Sequence, residues 1–234
     1  MNQPYYTKII KFNEKLGKLS IELPSPFKLI NPYKGKEGNL VRKISNSFYK
    51  IYFDDNIKRR LILGSSPARR GTAITGIPFE DMNRLQELTG YYIKNYHVSK
   101  ASSDFLHEVI DNYGGTEQFY KHFYLGFVFP LGLSKINSRG NEVNCNYYEN
   151  KQVEQLLMPF IIKSIQLQIN FGIDTSICYC IGCGDNYKEL KKINNNFQFF
   201  RKIIPLEHPR FITQYNPKDR KKYLKKYLDA LNMP

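Results

Sequence analysis

No stretch of this 234-residue chain comes near the roughly eighteen consecutive apolar residues that a membrane-spanning helix requires. Its start, MNQPYYTKIIKFNEK, has neither the apolar block nor the small-residue cleavage site of a secretory signal. A soluble, cytoplasmic protein with no membrane partner is the expectation. Cysteines are few, four in all: Cys145 stands alone, and Cys178, Cys180 and Cys183 crowd into CYCIGC. That excludes a secreted disulfide framework. Residues 178 and 180 share one face of a strand and no second CxxC completes a ligand set, so buried reduced thiols are expected rather than a metal site. Acidic residues are also scarce, 21 Asp and Glu against 35 Lys and Arg, which leaves a net charge of +14.

What is present is a globular composition. Hydrophobic residues at 41%, with 15% aromatics, exclude a disordered chain and suffice for one large domain or two small ones. The positive charge is unevenly placed. Residues 1–60 hold thirteen basic groups against five acidic, residues 61–200 thirteen of each, and residues 201–234 nine against three. A neutral body flanked by basic ends suits a polyanionic partner, most simply a nucleic-acid backbone, although a solvated basic surface has the same composition.

Apolar periodicity predicts helices over residues 5–19 (Ile9, Ile10, Phe12, Leu16) and 40–52 (Val41, Ile44, Phe48, Ile51), with the proline-interrupted IELPSPFKLINPY as a loop between them. RLILG at 60–64 reads as a buried strand feeding an irregular loop, followed by helices over 81–88 and 103–113 and a second strand, FYLGFVF, at 123–129. A long helix over 149–171, which Pro159 can kink or divide, precedes strands at 176–181 and 202–206, with a helix at 185–193 between them. Asn216 and Pro217 suit the start of a last helix with Tyr223, Leu224, Tyr227, Leu228 and Leu231 on one face and six Lys or Arg around it. Strands alternating with helices predict an α/β fold, a three-layer α/β/α sandwich with a central, mostly parallel four-stranded sheet. One domain over 1–234 is expected, with 1–58 a helical N-terminal part and 59–234 the α/β core. Ligands of such sheets bind beyond the carboxyl ends of the strands.

Two strand ends carry the chemistry. The first, residues 64–79 (GSSPARRGTAITGIPF), combines three glycines, two prolines and four hydroxyls, and the second is Glu207, His208, Pro209 after the last strand. Glycines let a backbone approach a ligand closely, and free N–H groups in such a loop can grip carbonyl or phosphate oxygens. No GK[ST] follows, which excludes a Walker loop. Gly64, Pro67, Gly71, Thr75, Gly76, Pro78 and Phe79 fall in register with GMNPGPxGxxxTGVPF, with Ile77 for the valine. The string thus resembles the first motif of the uracil-DNA glycosylase superfamily, in its single-strand-selective monofunctional branch. GSSPARRGTAITGIPFED, the PLG at 130–132 and EHPRFITQY together resemble a bacterial second type of that branch, formerly a domain of unknown function. The resemblance covers about residues 60–230.

The resemblance implies a DNA repair enzyme that flips a deaminated base out of DNA, hydrolyses its N-glycosidic bond and leaves an abasic site, with no cofactor and no metal. His208 is then the catalytic donor to the departing base, because breaking the base–sugar bond leaves negative charge there. The other histidines, His97, His107 and His122, precede no proline. Phe79 is the stacking face, and Ser65, Pro67 and Ala68 line the base. Ala68 stands where the branch has glycine, and its methyl narrows the room beside C5. Ser66 occupies the position of the water-orienting Asn or Asp; a hydroxyl orients water more weakly, and slow hydrolysis is expected. Phe127 stands where related enzymes place the Asn that reads the base edge. Asn141, Asn144 and Asn146 are its candidate replacements, Asn144 first, and the choice between uracil and a base such as xanthine stays open. Arg69, Arg70, Arg210 and Phe211 are candidate DNA contacts, the last two as the group that fills the gap left by the flipped base. No lysine lies in either motif loop, so the enzyme is expected to be monofunctional, without lyase activity. A monomer is also expected.

The sequence allows two rival readings. The losses at 66 and 127 suit a catalytically weak or inactive module that holds a flipped base. RNA binding is allowed by eighteen tyrosines but carries no recognisable motif. A dinucleotide site at Gly182 and Gly184 fails, because Tyr187 stands at the third glycine.

Overall fold

The computed structural model describes residues 3–94 and 100–233, the latter from the side chain of Ala101 onward. In chain order it runs α1 (Tyr5–Lys18), β1 (Phe27–Ile30), α2 (Gly38–Phe53), β2 (Arg59–Gly64), α3 (Thr72–Thr75), α4 (Met82–Thr89) and α5 (Lys100–Tyr113). It continues with α6 (Gly115–His122), β3 (Phe123–Phe127), β4 (Gly132–Ile136), β5 (Glu142–Asn144), α7 (Lys151–Ile169), β6 (Ile173–Ile181), α8 (Asp185–Phe197), β7 (Lys202–Leu206) and α9 (Arg220–Leu231).

β3, β2, β6 and β7 pair in that order, all parallel. Such strands need cover on both sides, and side chains alternate between the two faces. Phe123 and Tyr179 face one way: their rings lie 5.7 Å apart, Phe123 meets Phe119 of α6, and the Tyr179 hydroxyl donates to the Ala230 carbonyl oxygen of α9. Tyr124 and Cys180 face the other way, toward Tyr5 of α1, Phe171 after α7 and Asn186 of α8. The result is a three-layer α/β/α sandwich. No helix among the described residues is long and apolar enough to cross a membrane.

The N-terminal part is not wholly helical. Within the segment read as a loop, Phe27–Ile30 forms β1, which pairs antiparallel with β4, and β4 in turn with β5. These short strands, broken up by Pro, Gly and Asn, lack the apolar run that marks the central ones. α6 is equally hard to read from sequence, eight largely polar residues (GTEQFYKH) that begin with one glycine and follow another. Asn216 does not cap the last helix; its amide donates to the Phe211 carbonyl oxygen, residues 217–219 form a 3₁₀ turn, and α9 begins at Arg220. Pro159 does not divide α7, which Asn150 caps by accepting from the N–H groups of Gln152 and Val153.

Residues 1–58 are bound to the core through Arg59. Its side chain is fully buried, pairs with Asp55 at 2.7 Å and donates to the carbonyl oxygens of Tyr52, Ile57 and Tyr120. The guanidinium also lies 4.7 Å from the ring centres of both Tyr5 and Phe53. A charge this deep is tolerable only when every donor is engaged, as here. Tyr33 brings the same part up against the first motif loop. A side chain at Gly76 (φ +72°) would collide with its hydroxyl, so that position has room for glycine alone.

Candidate active site

The site begins where β2 ends. Gly64 and Ser65 prolong the ladder by accepting from the N–H groups of Val128 and Phe129, at 2.9 and 3.0 Å, so the loop leaves the sheet on a fixed course. Phe127 is paired with Gly64 across the strands, and its ring lies where a side chain at 64 would be. The aromatic ring therefore packs over the start of the motif, which accounts for glycine there. Beyond Ser65, the N–H groups of Ser66 and Ala68 have no protein acceptor among the described residues. Pro67 is buried and Ala68 exposed.

The connection from β5 to α7 meets this loop from the side. Asn146 Oδ1 accepts from Ser65 Oγ at 2.8 Å and from Ser66 Oγ at 3.4 Å. Its orientation is fixed, because its N–H and its Nδ2 both donate to Glu149 Oε1, which leaves Oδ1 turned to the serines. Burial alone would raise the Glu149 pKa, but hydrogen bonds from Lys135 and Asn146 outweigh it and hold the carboxyl below the usual range. Asn144 Oδ1 instead accepts from the Arg69 N–H at 2.8 Å. Arg69 is tied further, through Nη1, to Glu142 at 3.3 Å, whereas Arg70 is exposed with no ion pair among the described residues. Of the three asparagines it is thus Asn146 that stands against the motif serines. Sequence spacing could not separate it from Asn144, since the choice depends on how the chain turns after β5.

Phe79 ends the loop with φ at 60°, a left-handed conformation that costs a side-chain-bearing residue about 1 kcal/mol or more. Its carbonyl oxygen accepts from Ser103 Oγ at 2.7 Å, and its ring centre lies 6.2 Å from that of His208, tilted by 54°. These two residues are 129 positions apart in the chain, and they meet beyond the carboxyl ends of the parallel strands.

His208 follows β7. Its Nδ1 accepts from the N–H of Arg210 at 3.0 Å, and its carbonyl oxygen from that of Phe211 at 2.8 Å. A backbone N–H can only donate, so in the neutral ring Nδ1 is unprotonated and Nε2 carries the hydrogen. Desolvation, with a smaller contribution from the Arg210 charge, lowers the pKa to about 4. His208 is an exposed residue, so the lowering comes from the protein atoms against one side of the ring while solvent reaches the other. At neutral pH His208 is an uncharged donor of fixed tautomer. Next to it, Glu207 accepts from Lys226 Nζ at 2.5 Å, while its Oε2 is buried without a partner among the described residues. Arg210 Nε donates to Gln214, Phe211 is 43% exposed, and residues 211–215 form a π-helical turn.

Among the described residues no group of three or more His, Cys, Asp or Glu could hold a metal ion. His107 lies behind Phe79, bonded to Glu80, and His122 is bonded to Tyr113; His97 lies outside the described residues. Sequence reasoning missed the Glu80, His107, Tyr120 cluster behind Phe79 and the bracing of Asn146 by Glu149. The first joins positions 27 and 40 apart, for which the chain offers no local signal.

The family model of the uracil DNA glycosylase superfamily matches residues 51–232, and the chain belongs to that superfamily. The solved structure of wild-type SMUG2 from Pedobacter heparinus is 40% identical, superposes with a TM-score of 0.88 and is matched over 98% of this chain and 97% of its own. That neighbour sets the chain with the single-strand-selective monofunctional branch. No curated protein matches it. The fold and family define a uracil-DNA glycosylase type of protein whose partner is DNA.

Proposed function

We propose that the protein is a monofunctional DNA glycosylase that removes uracil or another deaminated base and leaves an abasic site. The observation that carries the reading is the meeting of the Phe79 ring with a neutral His208 whose Nε2–H is fixed as a donor. A base swung out of the strand stacks on Phe79, and its oxygens meet the unengaged N–H groups of Ser66 and Ala68. As the C1′–N bond breaks, its electron pair goes to the base, and His208 Nε2–H stabilises the charge that develops on a carbonyl oxygen. A donor that stays protonated is suited to this, since the leaving group needs stabilising before it needs a proton. Water adds its oxygen to C1′, and its proton ends on the departing base.

Asn146 is the residue we assign to orienting that water together with Ser66, its amide being held in one orientation by Glu149. Asn144 supports the loop through Arg69. The Ala68 methyl disfavours large C5 substituents such as hydroxymethyl. Phe211, exposed on its turn, is the wedge that fills the gap in the strand, and Arg70, Lys221 and Lys222 contact phosphates.

A binding module that holds a base without cutting is the second reading, favoured by the Ser66 hydroxyl, which already leans on Asn146 at 3.4 Å. Wild type, His208→Ala and Ser66→Asn are incubated with single- and double-stranded oligonucleotides carrying one uracil, hydroxymethyluracil, xanthine or hypoxanthine, then treated with alkali. Strand scission by wild type that His208→Ala loses, with its fold intact, supports the enzyme. Tight lesion binding without scission supports the module.

A further inference from the structure

We infer that Glu80, clasped between His107 of α5 and Tyr120 of α6, is a positioning residue that holds the Phe79 ring where the base stacks. The inference rests on the reading of Phe79 given above. A phenylalanine at φ 60° stays there only when its surroundings leave no alternative. Three contacts on consecutive residues supply that constraint. Ser103 of α5 donates to the carbonyl oxygen of Phe79 at 2.7 Å. Glu80, 4% exposed, accepts from the Tyr120 hydroxyl through Oε1 at 2.9 Å, and its Oε2 lies 3.0 Å from His107 Nε2. Asp81 then caps α4 by accepting from the N–H groups of Asn83 and Arg84.

A carboxylate buried so deeply adds little to stability that a leucine of similar volume could not add. What it provides is direction. Partners from two helices fix the side chain of residue 80 from two sides, and with it the peptide that joins it to Phe79. Tyr120 is anchored in turn, because its carbonyl oxygen accepts from Nε of the fully buried Arg59 at 2.6 Å. The clasp therefore runs without a break from the N-terminal part of the chain to the ring that faces His208. Glu80 acts through Phe79 and is not itself a catalytic residue.

Glu80→Ala, Glu80→Gln and Tyr120→Phe are compared with wild type and Phe79→Ala in single-turnover cleavage of a uracil-containing oligonucleotide and in affinity for that DNA. Hydrogen exchange across residues 77–81 is followed in the same proteins. Glu80→Ala is expected to slow cleavage at least about tenfold while affinity changes less than about twofold, because a displaced ring costs rate before it costs binding. Glu80→Gln, which can still accept from Tyr120, recovers most of that loss. In a Phe79→Ala background Glu80→Ala has no further effect, since both act through one ring. Exchange at 77–81 accelerates in Glu80→Ala while the central sheet stays protected. Unchanged exchange in that segment, or rate losses that multiply fully with that of Phe79→Ala, would overturn the inference. Should Glu80→Ala not fold, Tyr120→Phe and Glu80→Gln carry the same comparison with smaller effects. Phe79→Ala as active as wild type would instead sink the stacking reading, and the exchange result would still decide whether Glu80 holds the segment.

Discussion

The segment that carries Phe79 is pinned by Ser103, His107 and Tyr120, from two helices, whereas the segment that carries His208 runs directly into an exposed π-helical turn. In that turn Arg210 bonds to Gln214, and Phe211 rests its edge on Tyr223 at 6.2 Å. Under the proposed function, the difference follows from what each wall would meet, a flipped base on one side and the DNA strand on the other. A stacking face must lie within about half an ångström of its working position, and buried polar contacts achieve that. A segment that enters the DNA must conform to a strand whose path varies. His208 lies at the boundary: its imidazole is fixed by one backbone N–H, and the turn after it is held in the core by Ile212 alone of its five residues.

Replacing His208 by Ala is the most damaging test of this division. It should slow single-turnover cleavage by about a hundredfold or more, as loss of a preorganised donor does, with DNA affinity changed only a few-fold. Asn146→Ala should cost about tenfold in the same assay and Asn144→Ala less, because only Asn146 touches the motif serines. The opposite ranking would move the polar wall from Asn146 back to Asn144. On the adaptable side, Phe211→Ala should weaken affinity for lesion-bearing duplex more than for single strand, and Lys221→Ala should lower the salt dependence of binding by about one counterion while leaving the cleavage rate unchanged.

The smallest effect is an absence of titration. With a pKa of about 4, the His208 ring should show no midpoint in its NMR resonances between about pH 5.5 and 8. The native pKa lies below the unfolded value near 6.5, so the unfolded chain takes up the proton first. The His208 contribution to stability is therefore complete above about pH 6.5 and is lost as pH falls toward 4. A midpoint near 6.5 would show a ring that the protein does not crowd.

The pattern of legibility has physical causes. β7 is legible to the residue and β2 nearly so, because strands of a parallel sheet are short apolar runs: β2 ends at Gly64 and β7 where Glu207 breaks the run, whereas the one-turn helix α3 inside the Gly-rich loop leaves no apolar signal. His208 stood out because a histidine before proline at a strand end is rare in this chain. β1, β4 and β5 were hidden, since a three-stranded antiparallel sheet made of three- to five-residue pieces leaves no period to detect. Asn146 and Glu80 were hidden for a different reason. A side chain's role there is fixed by a partner far along the chain, and a single sequence does not say which distant residues meet.

The most direct test of the central claim is a crystal structure with DNA carrying an uncleavable 2′-fluoro-deoxyuridine. The expected result is the uracil ring stacked on Phe79 with one carbonyl oxygen about 2.7 to 3.2 Å from His208 Nε2. A uracil left in the strand, or bound elsewhere with Phe79 still packed against protein, would contradict it.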